Sequence, residues 1–413
     1  MRLLFVTHFF PYPPVGGGRI GCFNPIRYLS RRIEIVLVSI VDPSSVEFVH
    51  DMDRYCLDVK VHQIRQSPYV ALGRGLIGEI PGTAAKYYDP VFGKLIQSAI
   101  EQWKIDVVEL QHLNTASYRR WVSSVPTLLR EHNVEYKVWE RQARHANNFV
   151  EYAYVSMVAP RIRAYEARVA SQFDRCITVS EADTNHLRDV APTAKIEMIP
   201  SGVDTEYFVA DSSAPQEPNS MILTGAFDWK PKQHNLKIFL TKFYPMIKAR
   251  LPNATLKVVG KGVPDELRTL ADRLQGVTVT GSVPDVRPYL QNAVLALNYM
   301  ENGGGIALKV LEAMAMRKPV LSNSLGCEGI SVQHGENVFL ADTVESFADA
   351  AVLLLQNAGV REKIAMGGYR LVQERYAWER LASQFQECYA SVLAERRSSL
   401  HGNLHPPQRS RSS

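Results

Sequence analysis

A chain of 413 residues is too long for one ordinary hydrophobic core and suits two domains of roughly 200 residues each. Hydrophobic residues make up 46% of the chain and charged residues 22%, which excludes a disordered or fibrous protein. The formal net charge of +5 is too small to indicate a nucleic-acid partner.

Five cysteines are scattered along the chain without CxxC pairs or zinc-ligand spacing, a usage typical of a reducing compartment. The apolar N-terminus stops at Pro11, which is too short for a signal peptide. No apolar run reaches the length of about 18 residues that a bilayer requires. We therefore expect a cytoplasmic protein, with a peripheral position at the inner face of the membrane as the alternative to a protein free in the cytoplasm.

Short apolar runs alternate with longer helical patterns, which predicts parallel α/β architecture. The predicted strands of the first half are Leu3–Thr7, Glu34–Ser39, Val59–Gln63, Val107–Leu110, Thr127–Arg130 and Arg175–Val179. Those of the second half are Met221–Thr224, Leu256–Val259, Val277–Thr280, Leu295–Asn298 and Pro319–Ser322. The predicted helices are Asn24–Arg32, Gly93–Trp103, Val155–Phe173, Asn235–Arg250, Asp265–Gln275, Ile306–Met316 and Val344–Gln356.

This alternation restarts after the polar, Pro-rich segment Asp211–Asn219, so we predict two consecutive doubly wound domains. Their predicted bounds are 1–205 and 206–376, followed by a helix over 377–397 and a disordered tail over 398–413. Ligands of open α/β sheets bind beyond the carboxyl ends of the strands. We therefore expect the functional residues in strand-end loops, at a cleft between the two domains.

The first such loop, PYPPVGGGR at Pro11–Arg19, directly follows the first predicted strand. Gly16, Gly17 and Gly18 allow close approach of a ligand to the backbone, and N–H groups at a helix start suit phosphate or sugar oxygens. The spacing differs from GxGxxG, and no Lys-Ser/Thr follows as in a Walker loop. A flexible turn is the alternative interpretation.

The segment REHN, Arg130–Asn133, ends the fifth predicted strand. His132 occupies a strand-end position, where a neutral imidazole accepts a proton or hydrogen-bonds a sugar hydroxyl. A surface-loop histidine is the alternative. The weaker histidine candidates are His8, His112 and His145.

The segment GGGIALKVLEAMAMRKPV, Gly303–Val320, joins a second glycine loop to a helix start. Lys309 and Glu312 are three residues apart and share nearly the same helix face. A lysine there suits a diphosphate, and a carboxylate accepts two ribose hydroxyls at once. A solvent-facing Lys–Glu pair is the alternative.

Two further loops follow predicted strands of the second half. The first is GAFDWKPK, Gly225–Lys232, in which Lys230 and Lys232 are candidates for binding phosphate; a solvated loop is the alternative. TGSVPD, Thr280–Asp285, offers a backbone edge for a base, with an ordinary strand-to-helix turn as the alternative.

The ordered series of segments resembles family 4 of the glycosyltransferases, which are retaining enzymes with the GT-B fold. The segments that carry the resemblance are PYPPVGGGR, REHNVE, VSEADTNHL, IPSGVDTEYF, GAFDWKP, VVGKG, TGSVPDV, GGGIALKVLEAMAMRKPVLSN, EGI and HGENVFLAD. The resemblance implies an acceptor-side domain and a nucleotide-sugar-binding domain, both Rossmann-like, facing across a cleft. It also implies that the C-terminal helix packs back on the N-terminal domain.

The resemblance implies two catalytic residues: His132, which contacts the donor sugar, and Glu312, which binds the ribose as the second Glu of a Glu-x7-Glu motif. Gly17 and Gly18 would approach the diphosphate and the acceptor. The implied donor-binding positions are Gly16, Gly17, Gly18, Gly225, Lys230, Lys232, Ser282, Val283, Asp285, Gly304, Gly305, Ile306, Ala307, Leu308, Lys309 and Glu312.

The chain departs from the family pattern at three positions. The first Glu of Glu-x7-Glu falls at Gly304, as in the GGGxxLKxLEAMA branch of the family, and Ala226 replaces an Arg that usually grips the diphosphate. In our interpretation Lys230, Lys232 or Lys309 binds the diphosphate in place of that missing Arg. Arg317 replaces a frequent glycine, which nothing in the sequence explains.

The implied function is retaining transfer of a hexose-type sugar from a UDP- or GDP-sugar. The acceptor is a hydroxyl of a glycan, a lipid-linked or a small molecule, as in surface polysaccharide biosynthesis. We expect no metal or other cofactor, because no Asp-x-Asp stands at a suitable strand end. Ser67–Leu95 is a candidate for contact with a membrane or lipid acceptor, with a plain acceptor-side loop as the alternative.

Other protein classes fit the sequence less well. A dehydrogenase would need GxGxxG after the first strand, where this chain has GGGR. A GT-B epimerase, or a phosphorylase with its pyridoxal-phosphate lysine, lacks support in these segments. A degenerate transferase that only binds a ligand or a partner protein is the main alternative, because the first motif Glu is missing.

Overall fold

The structure is a computed structural model that describes residues 1–64, 79–144, 148–211, 213–301 and 306–402. The chain forms two compact units. The first comprises Met1–Ile199 together with the chain from Ala382 onward, and the second comprises Pro200–Leu381. The sequence placed the second domain at 206–376, whereas the divisions here fall at Pro200 and inside the last helix.

The first unit contains a parallel sheet of seven strands in the order β3-β2-β1-β4-β5-β6-β7. The strands are β1 Arg2–Thr7, β2 Glu34–Ile40, β3 Asp58–His62, β4 Val107–Gln111, β5 Thr127–Arg130, β6 Arg175–Thr178 and β7 Ile196–Met198. Leu4 of β1 pairs with Val36 on one side and Val108 on the other. Most residues of these central strands are apolar and buried, because helices cover both faces of a parallel sheet.

Helices surround this sheet. They are α1 Gly17–Leu29, α2 Gly82–Ala85, α3 Pro90–Trp103, α4 Glu135–Arg144, α5 Phe149–Ala170 and α6 Glu181–Val190, with 3-10 segments at Pro43–Met52 and Leu113–Trp121. The last helix of the chain also packs on this unit from Ala382 onward, and its Tyr389 bonds to Glu109 of β4. The predicted return of the C-terminal helix to the N-terminal domain is thereby confirmed.

The second unit contains a parallel sheet of six strands in the order β10-β9-β8-β11-β12-β13. The strands are β8 Ser220–Thr224, β9 Thr255–Val259, β10 Val277–Gly281, β11 Leu295–Asn298, β12 Val320–Ser322 and β13 Phe339–Leu340. The helices are α7 Lys230–Ile238, α8 Tyr244–Arg250, α9 Asp265–Asp272, α10 Arg287–Asn292, α11 Leu308–Ala315, α12 Val344–Gln356, α13 Ala358–Leu371 and α14 Trp378–Gly402. Two parallel α/β units confirm the predicted fold class.

Helix α1 begins at Gly17, seven positions before the predicted Asn24, and contains Pro25. Proline has no N–H, so it cannot bond to the carbonyl oxygen four residues earlier in the helix. That oxygen, on Gly21, instead accepts a hydrogen bond of 3.3 Å from the guanidinium of Arg130. The helix therefore tolerates its proline because a buried arginine replaces the missing bond.

The structure corrects three other predictions. The strands Ile196–Met198 and Phe339–Leu340 were not predicted, and a π-helical turn at Phe239–Phe243 divides the predicted helix Asn235–Arg250. Helix α14 continues to Gly402, past the predicted start of a disordered tail at Ser398. Within the described part of the chain, no helix combines the length and the apolar character needed to cross a membrane.

Candidate functional site

Three strand-end loops of the second unit are tied together by backbone hydrogen bonds. The N–H of Gly225 donates to Val259 (3.0 Å), the N–H of Gly260 donates to Gly281 (3.0 Å), and the N–H of Phe227 donates to Lys261 (2.7 Å). Gly260 has a φ of +146°, and a Cβ there would lie 1.6 Å from the Gly225 oxygen. Only glycine fits at position 260. The loops that follow β8 and β9 therefore pack closely at Gly225 and Gly260.

Helix α11 begins at Leu308 and carries Lys309 and Glu312 in its first turns, both half-buried. Burial raises the pKa of Glu312 to about 7, and the positive charge of Lys309 opposes that rise. Burial lowers the pKa of Lys309 to about 8, with Lys232 adding to the fall and Glu312 opposing it. A carboxyl group and an amino group thus stand together at the positive end of a helix, at the positions that the sequence predicted.

Lys309 also lines a small pocket between the sheet and α11, together with Thr224 at the end of β8 and Asn298 at the end of β11. Asn298 donates to Ser322 (3.1 Å) and to the carbonyl oxygen of Gly326 (2.7 Å). These bonds hold the carboxyl ends of β11 and β12 together. The sequence analysis did not select Asn298 as a site residue, although a polar residue that ends an apolar strand was a usable signal.

Lys230 and Lys232 stand in the first turn of α7, both exposed. The charge of Lys232 reaches Lys309 and lowers its pKa, which brings these two lysines into one electrostatic group. Lys230 shows no such link within the described ranges. A third lysine, Lys261 in the loop after β9, pairs with Asp228 at 3.2 Å. The sequence analysis did not select it as a candidate.

The turn after β10 is held by its own side chains. Asp285 accepts bonds from the backbone N–H of Arg287 (2.9 Å) and from its guanidinium (2.6 Å), and Tyr207 donates to it at 3.3 Å. The hydrogen bond from Arg287 lowers the pKa of Asp285 most. Asp285 therefore stabilises the start of α10, while Ser282 is exposed and Val283 half-buried. Contact of this turn with a base stays a prediction.

Three further predicted positions lie at the start of α11. Ile306 and Ala307 directly precede the helix, Leu308 is its first residue, and all three are half-buried. Gly303, Gly304 and Gly305 lie outside the described residues, as do His145 and part of Ser67–Leu95.

In the first unit, the loop after β1 leads into α1 through Gly16, whose φ is +91°. Gly17 and Gly18 already belong to the first helical turn, and a Cβ at Gly18 would lie 3.3 Å from the ring of Phe9. A Cβ at Gly21 would lie 3.0 Å from the ring of His132. The backbone of α1 at Gly21 therefore packs closely against the ring of His132.

His132 lies in a group of three histidines at neighbouring strand ends. Its ring stacks on that of His112, with centroids 3.9 Å apart and planes inclined by 13°, and His8 meets His112 edge-on at 4.9 Å. Burial lowers the pKa of His132 and His112 well below the usual value, and that of His8 to about 3. His132 is therefore neutral near pH 7, as its predicted role requires.

Comparisons with known proteins agree with this architecture. Residues 15–207 match the family described as Glycosyltransferase Family 4, and residues 218–357 match Glycosyl transferases group 1. Two parallel α/β units, with polar side chains gathered at the strand ends of each, are consistent with the GT-B fold. The chain belongs to glycosyltransferase family 4.

The chain resembles relatives of more than one kind. A Klebsiella pneumoniae protein described as an uncharacterized 44.6 kDa protein in the cps region is 21% identical, over 91% of this chain and 96% of its own. The phosphatidyl-myo-inositol mannosyltransferase of Mycobacterium tuberculosis is 27% identical, over 47% of this chain and 53% of its own. The mannosyltransferase match thus spans about half of each protein.

Solved structures show the same fold. Sucrose-phosphate synthase from Thermosynechococcus elongatus has a TM-score of 0.70 at 17% identity, covering 96% of this chain and 100% of that one. Anabaena HepE in complex with UDP and glucose has a TM-score of 0.68 at 16% identity, covering 95% and 100%.

Proposed function

We propose that this protein is a retaining glycosyltransferase that moves a hexose-type sugar from a UDP- or GDP-sugar to an acceptor hydroxyl. The acceptor is a glycan, a lipid-linked or a small molecule, and the pathway is surface polysaccharide biosynthesis. The observation that carries this proposal is the pair Lys309 and Glu312, half-buried at the start of α11. A cation for the diphosphate stands there beside a carboxylate for vicinal hydroxyls.

The comparisons support the class of donor and the pathway named here. HepE is described in complex with UDP and with UDP-glucose, and one mycobacterial relative is described as GDP-mannose-dependent. The Klebsiella relative is described as lying in a cps region.

In the proposed reaction, the bond between the anomeric carbon and the diphosphate oxygen breaks, and the acceptor oxygen bonds to that carbon on the same face. The acceptor proton passes to the leaving diphosphate. Lys309, Lys232 and the start of α11 stabilise the negative charge on that diphosphate. We infer on this basis that transfer needs no metal ion; activity that is lost on adding EDTA and restored by Mg²⁺ would overturn this inference.

Substitution of Glu312 tests the proposal. Purified protein is incubated with radiolabelled UDP- and GDP-sugars, and transfer and hydrolysis are measured together with thermal stability. We expect Glu312→Ala to abolish both reactions without unfolding the protein, because a ribose contact is lost. Glu266→Ala is the control, since Glu266 is exposed on α9 of the same unit and pairs with Lys237 at 2.9 Å.

Full activity of Glu312→Ala would reject the site assignment. Wild-type protein that binds a nucleoside diphosphate yet neither transfers nor hydrolyses any sugar would favour the alternative, a non-catalytic binding protein. NMR of the anomeric proton in the product decides between retention and inversion.

A further inference from the structure

A row of polar side chains crosses the buried sheet of the first unit. Glu109 and Gln111 are two residues apart in β4 and therefore point to the same face of the sheet. Arg130 of β5 pairs in register with Gln111. All three side chains are fully buried. Burial of such groups is costly unless hydrogen bonds satisfy them, so the row needs specific partners.

Hydrogen bonds link this row to His132 at one end and to the C-terminal helix at the other. Tyr389 of α14 donates to Oε2 of Glu109 at 2.6 Å. The side-chain amide of Gln111 donates to Oε1 of the same carboxylate. Oε1 of Gln111 then lies 2.7 Å from Nε2 of His132. Three residues thus connect α14 to the candidate histidine.

The order of donors along this chain determines the tautomer of His132. The two oxygens of the Glu109 carboxyl group accept hydrogen bonds from the Tyr389 hydroxyl and from the Gln111 side-chain nitrogen, so the Gln111 amide points its nitrogen toward Glu109. The carbonyl end of that amide then faces His132, and it only accepts. Nε2 of His132 must therefore carry the proton, and Nδ1 keeps its lone pair.

Arg130 provides the positive charge that a buried carboxylate requires. Burial raises the pKa of Glu109, and the charge of Arg130 and the bonds from Tyr389 and Gln111 offset only part of that rise. The guanidinium lies 4.7 Å from the ring centre of Phe385, one turn before Tyr389 on α14. Phe385 and Tyr389, on the same face of α14, therefore contact Arg130 and Glu109 respectively.

We propose that Glu109, Gln111 and Tyr389 are positioning residues that hold His132 in the tautomer with its proton on Nε2, so that the C-terminal helix takes part in organising the site. This inference rests on the proposed role of His132 in transfer. A single fixed tautomer presents one defined polar edge to a sugar hydroxyl, whereas a mixture of tautomers would present a donor and an acceptor in turn.

The decisive variant is Gln111→Met, which keeps the length of the side chain and removes both of its hydrogen-bonding groups. Imidazole ¹⁵N chemical shifts of labelled protein report the tautomer of His132, assigned by comparison with His132→Gln. We expect the Nε2-protonated form in the wild type and a mixture in Gln111→Met. We also expect kcat to fall about tenfold, as for one lost hydrogen bond, while the donor KM stays nearly constant.

Tyr389→Phe tests the contribution of α14 and decides the question should Gln111→Met fail to fold. We expect a mixed tautomer and a fall in kcat of about threefold to tenfold. Tyr244→Phe is the matched control, because the buried Tyr244 of the second unit loses a 2.7 Å hydroxyl bond to a backbone oxygen.

An unchanged His132 tautomer in the folded variants would overturn the inference, as would losses of kcat equal to that of Tyr244→Phe. Failure of the proposed function has a different signature. The wild type would then show no transfer at all, while the ¹⁵N shifts still reported the tautomer.

Discussion

Lys309 and Glu312 lie one helical turn apart on α11, and each favours the charged form of the other. The pKa of Glu312 is about 7 and that of Lys309 about 8, so both groups are charged together only in a narrow range of pH. We expect kcat/KM to rise as pH increases through about 7 and to fall through about 8. Whatever activity remains in Glu312→Gln should no longer fall on the acid side of the profile. A kcat/KM of the wild type that does not change between about pH 5 and about pH 10 would contradict this prediction.

Glu312 should also make stability depend on pH. Its pKa is about 7 in the folded protein and 4.5 for an ordinary glutamate, so the folded state binds more protons between these values. The free energy of unfolding contributed by Glu312 therefore falls as pH rises through that window. We expect urea denaturation to show Glu312→Gln gaining stability relative to the wild type between about pH 5 and about pH 7. A constant difference would contradict the raised pKa.

Loss of Lys309 should weaken nucleoside diphosphate binding. Hydrogen bonds to charged groups contribute about 1.5–3 kcal/mol, so we expect Lys309→Met to raise the Kd for UDP or GDP about tenfold to hundredfold. Isothermal titration calorimetry measures the change. Lys237→Met serves as the control, because Lys237 is exposed on α7 and pairs with Glu266. Equal affinities for the two variants would remove Lys309 from the site.

Substitution at Gly260 should destabilise the second unit. A Cβ there would lie 1.6 Å from the oxygen of Gly225, and the φ of +146° is unfavourable for any other residue. We expect Gly260→Ala to lower the free energy of unfolding by about 1–3 kcal/mol and to weaken nucleotide binding as the loops separate. Gly359→Ala, whose Cβ meets only a 3.5 Å contact with Asn357, should change stability far less in the same urea titration.

The N-terminal turns of α5 expose several large apolar side chains. Phe149 is 81% exposed and Val150 77%, and Met157 is 51% exposed two turns later. Arg144 precedes this surface and Arg161 follows it, both exposed. Apolar side chains flanked by arginine fit the surface of an anionic bilayer.

We therefore expect the protein to sediment with vesicles containing phosphatidylglycerol and less with pure phosphatidylcholine vesicles. The double variant F149S/V150S should lose this binding while keeping its activity toward a water-soluble acceptor. L353S is the control, because Leu353 is an exposed apolar residue of the second unit. Binding that survives F149S/V150S would place any membrane contact elsewhere.

Local sequence patterns were sufficient to predict much of the fold and part of the site. Most strands are runs of buried apolar residues, and the loops with the glycines, like the helix start with Lys309 and Glu312, come after such runs in the sequence. Ile196–Met198 escaped prediction because its side chains are half-buried or exposed, and Phe339–Leu340 because it has only two residues. Tyr389 bonds to a residue 280 positions away, so no local pattern reveals it. The buried Glu109 and Gln111 in the apolar strand VVELQ were the available signal.

The return of α14 to the first unit has a consequence for biosynthesis. The ribosome releases Glu109 and Arg130 long before Tyr389 and Phe385, the partners that cover them, have been synthesised. Until α14 has been synthesised, the side chains of Glu109 and Arg130 in the nascent first unit lack the helix that buries them in the complete protein. The contacts of Glu109 and Arg130 with α14 therefore form only after translation has passed Tyr389, and a chain that stops earlier leaves that face open.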